Sequence, residues 1–270
     1  MEHSVFQPGT QLDPSRPDDN TSWQMTLETL TSELTEAGID QNYVHQTAAF
    51  LFSSIYNHFP LIFSGPAGKI LADALSVSMF ASTAGTLDAS APYSPSLLRE
   101  AEEGNDRIIV AENIFSGNWL IPLTQHIQHT HKYFILLHPF PEDLQIEPHS
   151  LFRYFHPILT DPLVHKIIFP DFLGGKNLEN YIGFESQYKK SAGTLLPILP
   201  SVNLYTDRLL KVISDAQQML GNEDPELVWM LAIFPYAYAT GKTSLLSEKL
   251  TSQSGISRNT IQRIEEFLKA

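Results

Sequence analysis

A glycine turn between an apolar run and a helical pattern is the segment of this sequence with the clearest potential chemistry. The apolar run is Leu61–Ser64, and the turn consists of Gly65, Pro66, Ala67, Gly68 and Lys69. Backbone N–H groups in such a turn, together with the N-terminus of the following helix, can bind nucleotide phosphates. We therefore take the five turn residues as candidate nucleotide-binding residues.

The spacing of this turn departs from that of a complete phosphate-binding loop. A complete loop has four residues between its first glycine and the Gly-Lys pair, and Ser or Thr after the lysine binds Mg²⁺. Here only Pro66 and Ala67 separate Gly65 from Gly68, and Ile70 follows Lys69. Fewer amides can surround a phosphate, and isoleucine cannot bind a metal. The alternative is a plain strand-to-helix turn.

Apolar runs alternate with helical patterns through the middle of the chain. We predict strands at 61–64, 107–112, 133–138 and 165–170, with a weaker one at 84–89. Helices are predicted at 68–80, 116–130 and 147–159. Continuous apolar runs with polar or proline ends are typical of parallel strands that are buried on both faces. The predicted fold class is α/β, with a parallel sheet flanked by helices and a small all-helical C-terminal domain.

Proline and glycine punctuation divides the chain into three parts. Residues 1–21 are predicted to be a flexible leader, and 22–200 an α/β domain that begins with two helices. Residues 171–200 read as an irregular connection at the end of that domain. The last part, 201–270, is predicted to contain helices at 203–220, 225–239, 243–252 and 257–269.

The order of these features resembles the AAA+ branch of the P-loop NTPases over about residues 40–270. In that family a later strand ends in Asp-Glu, where Asp helps to hold magnesium and Glu polarises the attacking water. The strand at 107–112 has Ala111 and Glu112 at those positions. The resemblance implies Glu112 as a catalytic candidate and His138 as the residue that senses the nucleotide. Glu112 as a cap of the next helix is the alternative.

The short turn and Ala111 both affect the contact with metal and phosphate. The resemblance therefore implies a catalytically degenerate AAA+-like protein with a regulatory or assembly role, acting through a protein partner or a second copy of itself. We expect no cofactor under this hypothesis. An unconventional ATPase that uses Lys69 and Glu112 with Mg·ATP stays open as an alternative.

The end of the chain resembles a helix-turn-helix, with Gly255 at the turn. The second helix would present candidate DNA-binding residues, namely Ser257, Arg258, Asn259, Gln262 and Arg263. Residues 241–270 contain five basic and three acidic residues, although the whole chain has a net charge of −13. A DNA-binding regulator that uses residues 243–269 is thus a second alternative. Two helices joined by glycine are also what a lid domain contains.

The remaining sequence features exclude several classes of protein. The 270 residues include no cysteine, which excludes disulfides and thiolate metal sites. No apolar run is long enough to span a bilayer and the N-terminus lacks a secretory pattern, so we expect no membrane contact and a cytoplasmic location. His126, His129 and His131 lack a nearby carboxylate in the sequence, so we predict no metal site. Gly241-Lys242-Thr243 follows no strand and is predicted to end one helix and begin another.

Overall fold

A six-stranded sheet with helices packed around it forms the centre of the molecule. The computed structural model describes residues 5–12, 22–115, 118–172, 184–187, 204–252 and 255–269. The strands are β1 Val5–Gln7, β2 Leu61–Ser64, β3 Gly85–Asp88, β4 Ile108–Glu112, β5 Tyr133–His138 and β6 His156–Leu159. Their order is β1-β3-β4-β5-β2-β6, and all are parallel except β1, which is antiparallel to β3.

Helices precede, connect and follow the strands. In the first part of the chain they are α1 Trp23–Glu36, α2 Val44–Tyr56, α3 Gly68–Phe80, α4 Pro95–Glu103 and α5 Leu120–Ile127. Two 3₁₀ segments, Pro141–Ile146 and Leu151–Arg153, lie between β5 and β6. The last part contains α6 Leu204–Leu220, α7 Pro225–Leu227, a π-helical segment Val228–Ile233, α8 Phe234–Ala239, α9 Thr243–Ser252 and α10 Arg258–Lys269.

The α/β class and a mostly parallel sheet are therefore confirmed, and β2 to β5 lie where strands were predicted. The strand predicted at 165–170 is wrong, because those residues lie beyond the sheet without strand structure. The helix predicted at 147–159 is also wrong, since the region ends in β6. Pro157 weakened the strand pattern, although an edge strand tolerates a residue without N–H.

The predicted leader contains an ordered strand. Val5–Gln7 pairs with Thr86–Asp88, and Phe6 is buried. Residues 13–21 of the predicted leader, and most of the predicted irregular connection at 171–200, lie outside the described residues. Helix α4 was not predicted, although Ser94 accepts a hydrogen bond from the Leu97 N–H and Pro95 occupies the first turn, a common helix start.

The order of the strands reverses next to β2. The chain passes from β2 across β5 and β4 to β3, then returns through β4 and β5 and crosses β2 to reach β6. Right-handed crossovers in the two directions place their connections on opposite faces of the sheet. The carboxyl ends of β2 and β5 consequently meet at a topological switch point, where open α/β sheets commonly bind ligands. The glycine turn and His138 are both at this point.

A single cluster of buried apolar side chains includes residues of the sheet, of the helices that precede β2 and of the helices that follow β6. Leu30 of α1, Phe63 of β2, Leu209 of α6 and Ile264 of α10 all belong to it. The C-terminal helices thus share one core with the strands. Gly241 has the positive φ of +68° expected of a helix end, and α9 begins at Thr243, as predicted.

Candidate functional site

Two backbone amides of the glycine turn donate hydrogen bonds to carbonyl groups of the protein itself. The Gly65 N–H donates to the His138 carbonyl at 2.9 Å, and the Gly68 N–H donates to the Gly65 carbonyl at 3.2 Å. Pro66 has no N–H and supplies no donor at all. Helix α3 has Ala67 at its N-cap, and no side chain of the described segments caps this end.

Gly65 has a φ of +113°, and a carboxylate lies directly against it. A Cβ atom added at Gly65 would lie 2.3 Å from Asp161 Oδ1 and 2.3 Å from Thr160 Oγ1. Burial raises the pKa of the Asp161 carboxyl, the Thr160 hydroxyl lowers it, and nearby Glu142 raises it. The turn therefore faces an acidic group on the β6 side.

Lys69 forms an ion pair within its own helix. Its Nζ donates to Asp73 Oδ1 at 2.6 Å and to Oδ2 at 2.8 Å. Asp73 lies one helical turn after Lys69, and its Oδ1 also accepts the Ala84 N–H at 3.0 Å just before β3. The ammonium is thus held beside α3 by a carboxylate that anchors the following segment.

Two further carboxylates end the neighbouring strands. Asp88 closes β3 and accepts hydrogen bonds from the Ser90 N–H and Asn113 Nδ2 at 3.0 and 2.9 Å. Glu112 closes β4, where burial raises the pKa of its carboxyl, the Lys69 charge lowers it, and Asp88 and Asp73 raise it. The Lys69 ammonium is thus bonded to Asp73 and lies near the Glu112 carboxylate, and Asp88 lies near Glu112 in turn. This concentration of negative charge disfavours a polyphosphate.

The sheet separates the predicted nucleotide-binding residues onto its two faces. Gly68 packs against Phe63 and Leu137, so these two side chains point toward α3. Glu112 follows the Ala111–Leu136 pair of the β4–β5 ladder and shares the Leu137 face. His138 comes one residue after Leu137 and points to the other face. Lys69 and Glu112 are thus close together, whereas His138 lies across the sheet from them.

Two polar atoms on the His138 face are buried without a hydrogen-bond partner among the described residues. Ser64 and His138 are register partners at the ends of β2 and β5. In the part of the chain that the structure describes, nothing bonds to Ser64 Oγ or His138 Nδ1, and His138 Nε2 lies 3.6 Å from Glu147 Oε1. Groups of this kind in other proteins are usually bonded to an ordered water. Sequence reasoning missed Ser64 because it looked like the last residue of an apolar strand.

The candidate DNA-binding residues at the C-terminus have different surroundings. Ser257 Oγ accepts the Thr260 N–H at 3.2 Å, which caps α10 as predicted. Arg258, Asn259 and Gln262 are exposed. The Arg263 guanidinium instead forms an ion pair with Asp40 and lies 5.5 Å from the centre of the Tyr43 ring. This arginine contributes to the packing of α10 against the body of the protein.

The carboxylates around the turn were only partly visible in the sequence. Asp73 was readable as the i+4 partner of Lys69, a standard helical ion-pair spacing. The position of Asp161 could not be predicted from the sequence, because its approach to Gly65 depends on the pairing of β6 with β2. Within the described residues, no group of three or more histidine, aspartate or glutamate side chains is arranged to hold a metal ion. In the same part of the chain, no helix has the length and apolar character needed to cross a bilayer.

Comparisons with known proteins give little guidance. No family model and no curated protein matches the chain. One solved structure that it resembles is a crystal structure named "putative ATPase" from Cytophaga hutchinsonii, with 11% sequence identity and a TM-score of 0.36. The match covers 57% of this chain and 59% of that one, so the chain spans less than two thirds of its length. A likeness at this score does not establish a shared fold.

Proposed function

We propose that this chain is a non-hydrolytic AAA+-like protein with a regulatory or assembly role, which acts through contacts with other protein subunits. The observation that carries the proposal is the ion pair of Lys69 with Asp73, close to Glu112. A lysine that binds phosphate must direct its charge at the ligand, whereas this one is already neutralised. Two turn amides are also bonded within the protein.

Exposed apolar side chains at the same edge support a protein contact. Phe140 lies two residues after the end of β5 and is 56% exposed, and Ile146 ends the first 3₁₀ segment and is 80% exposed. Both belong to the connection that leaves the switch point. Large apolar side chains with this exposure are enriched in protein interfaces. Because AAA+ modules pack side by side, the partner that we propose first is a second copy of the chain.

Nucleotide titration tests the first half of the proposal. We expect a fluorescent ATP analogue with Mg²⁺ to show no saturable binding, because the carboxylates repel the phosphates. The analogue should behave identically with the wild type and with Lys69→Ala. Saturable, Mg²⁺-dependent binding that Lys69→Ala abolishes would instead favour the unconventional ATPase.

Mass photometry tests the second half. We expect a discrete oligomer of the wild type whose population is the same with and without ATP. A Phe140→Ser, Ile146→Ser double variant should shift the protein toward monomer. Met25→Ser is the matched control, since Met25 is also an exposed apolar side chain (41%) but lies on α1. A monomeric wild type, or an equal effect of the control, contradicts self-association through this edge.

A DNA contact at the start of α10 is a second candidate. It is supported by the capped helix start and by the exposed side chains of Arg258, Asn259 and Gln262. Glu265 and Glu266 are also exposed on this helix, and they weaken the attraction to phosphate. We expect any duplex binding, followed by fluorescence anisotropy, to weaken with salt and with Arg258→Ala. It should be unaffected by Arg99→Ala on α4; equal effects of the two variants would argue against this site.

A further inference from the structure

A cavity of about 860 Å³ opens at the edge of the sheet opposite the glycine turn. Phe59 and Pro60 precede β2, Lys132 precedes β5 and Phe155 precedes β6, and all of them line it. The first turn of α6 closes one side through Tyr205 and Arg208. The cavity is therefore built from the amino ends of three neighbouring strands. Its size is that of a typical small-molecule site.

The charge of this cavity is opposite to that of the whole chain. Among the described residues that line it are Arg153, Arg208, His58 and His131, and none of those lining residues is Asp or Glu. Lys132 also lines the wall, but its ammonium donates to the carbonyls of Gly104 and Asp106 at 2.5 and 2.7 Å. A one-signed cleft in a chain of net charge −13 concentrates anions locally.

The geometry holds one guanidinium at the cavity wall. Arg208 Nη2 donates to the His58 carbonyl at 2.9 Å, which fixes the side chain beside the loop that enters β2. Burial lowers the pKa of the His58 imidazole, and the positive charges of Arg208 and His131 lower it further. The His58 imidazole is therefore neutral near pH 7, and the Arg208 guanidinium supplies the positive charge at this part of the wall.

The remaining wall is aromatic. Phe59, Tyr133, Phe155 and Tyr205 are among the lining residues, but each is buried and exposes at most 5% of its surface. Tyr154, next in sequence to Arg153, is 47% exposed and also lines it. An exposed aromatic ring beside arginines can stack on a planar group while the guanidinium binds its charge.

We propose that this cavity binds a planar small molecule that carries a phosphate or carboxylate group. Arg208 and Arg153 bind the anionic group, and the exposed ring of Tyr154 stacks on the planar part. The site lies at the opposite edge of the sheet from the glycine turn. It is consequently independent of the function proposed above.

Calorimetric titration with three related probes tests this proposal. 1-Naphthyl phosphate and 1-naphthoate carry the two anionic groups, and neutral 1-naphthol is the control for the planar part alone. We expect at least one of the anionic probes to bind tenfold or more tightly than 1-naphthol. The tighter of the two identifies the anionic group that the cavity prefers.

Charge-removing variants locate the site. Arg208→Gln and Arg153→Gln should each weaken binding of the tighter probe about tenfold, as expected for a charge-assisted hydrogen bond. Lys211→Gln, on the same helix as Arg208 but outside the lining, should leave the affinity unchanged. If Arg208→Gln also lowers the thermal unfolding midpoint, its binding result is ambiguous. Arg153 is exposed, so Arg153→Gln tests the site without that complication.

Four results would each overturn the proposal. They are absence of binding by both anionic probes, equal affinity for 1-naphthol, unchanged affinity in both arginine variants, and loss of binding in Lys69→Ala. The last would place the probe at the glycine turn.

Discussion

Gly65 is the residue at which the site tolerates least change. Its φ is +113°, and Asp161 and Thr160 occupy the space that a side chain would need. We expect Gly65→Ala to lower the free energy of unfolding by about 3 kcal/mol, from backbone strain together with the clash. Urea denaturation followed by circular dichroism measures this.

Gly221 supplies the matched comparison for that substitution. Its φ is +74°, but an added Cβ would meet nothing within 4 Å. Gly221→Ala should therefore cost only about 1 kcal/mol of backbone strain. Equal losses for the two variants would show that Asp161 and Thr160 do not crowd the turn.

His156 is a buried imidazole whose two nitrogens are both bonded. Nδ1 accepts from the Tyr205 hydroxyl at 2.7 Å, and Nε2–H donates to the Leu231 carbonyl at 2.6 Å in the π-helical segment. Burial lowers the pKa of this ring from 6.5 to about 4, although the bond to the Leu231 carbonyl opposes the shift, so the ring is neutral near pH 7.

This shift makes stability depend on pH in a defined window. The unfolded chain binds a proton at His156 below about pH 6.5, whereas the folded protein does not until about pH 4. The contribution of this group should thus fall by about 3 kcal/mol between those values as the pH decreases. We expect the unfolding free energy of His156→Gln to decline less than that of the wild type from pH 7.5 to about 4.5. Parallel pH profiles would mean that His156 titrates normally in the fold.

At the scale of secondary structure elements, α10 depends on Arg263 for its attachment. The Arg263–Asp40 pair is mostly shielded, with side-chain exposures of 22% and 15%. Burial raises the pKa of the Asp40 carboxyl, but hydrogen bonds from Asn42 and Arg263 and the Arg263 charge lower it below its usual value overall.

Removing this arginine should weaken the fold. We expect Arg263→Gln to destabilise the protein by about 1–2 kcal/mol and to raise the pKa of Asp40. Chemical denaturation measures the stability, and carboxyl NMR titration follows Asp40. Arg258→Gln on the same helix is exposed and should change neither quantity. If both variants have the same stability, α10 does not depend on this ion pair.

The sequence predicted elements well where a continuous apolar run carried the signal. Strands β2, β4 and β5 were predicted from such runs. The glycine turn after β2 was predicted from its residue types. The prediction failed at β6, where Pro157 interrupts the pattern and the identity of the strand depends on pairing with β2. The approach of Asp161 to the turn was equally hidden, since it depends on the pairing of β6 with β2. Local patterns report periodicity, whereas the site is assembled by contacts between distant segments.

At the scale of the whole molecule, one continuous core predicts one cooperative transition. Buried side chains from the first helix to the last belong to the same cluster, which includes Leu30 and Ile264. The three tryptophans sample different regions, because Trp23 begins α1, Trp119 precedes α5 and Trp229 lies in the π-helical segment.

Every spectroscopic probe should therefore report the same unfolding transition. We expect coincident urea midpoints from far-ultraviolet circular dichroism and from single-tryptophan variants that retain Trp23, Trp119 or Trp229. An earlier transition reported by Trp229 alone would indicate that the C-terminal helices form a separately folding domain.

The two outer strands limit how copies of this protein can add to one another. β1 has three residues and β6 has four, and in a parallel ladder Pro157 removes one donor from the open side of β6. These short edge strands offer a neighbouring chain too few backbone N–H and C=O groups to extend the sheet. The addition of strands from other copies, and hence fibre growth, is consequently disfavoured at both edges of the sheet, even when the protein is concentrated.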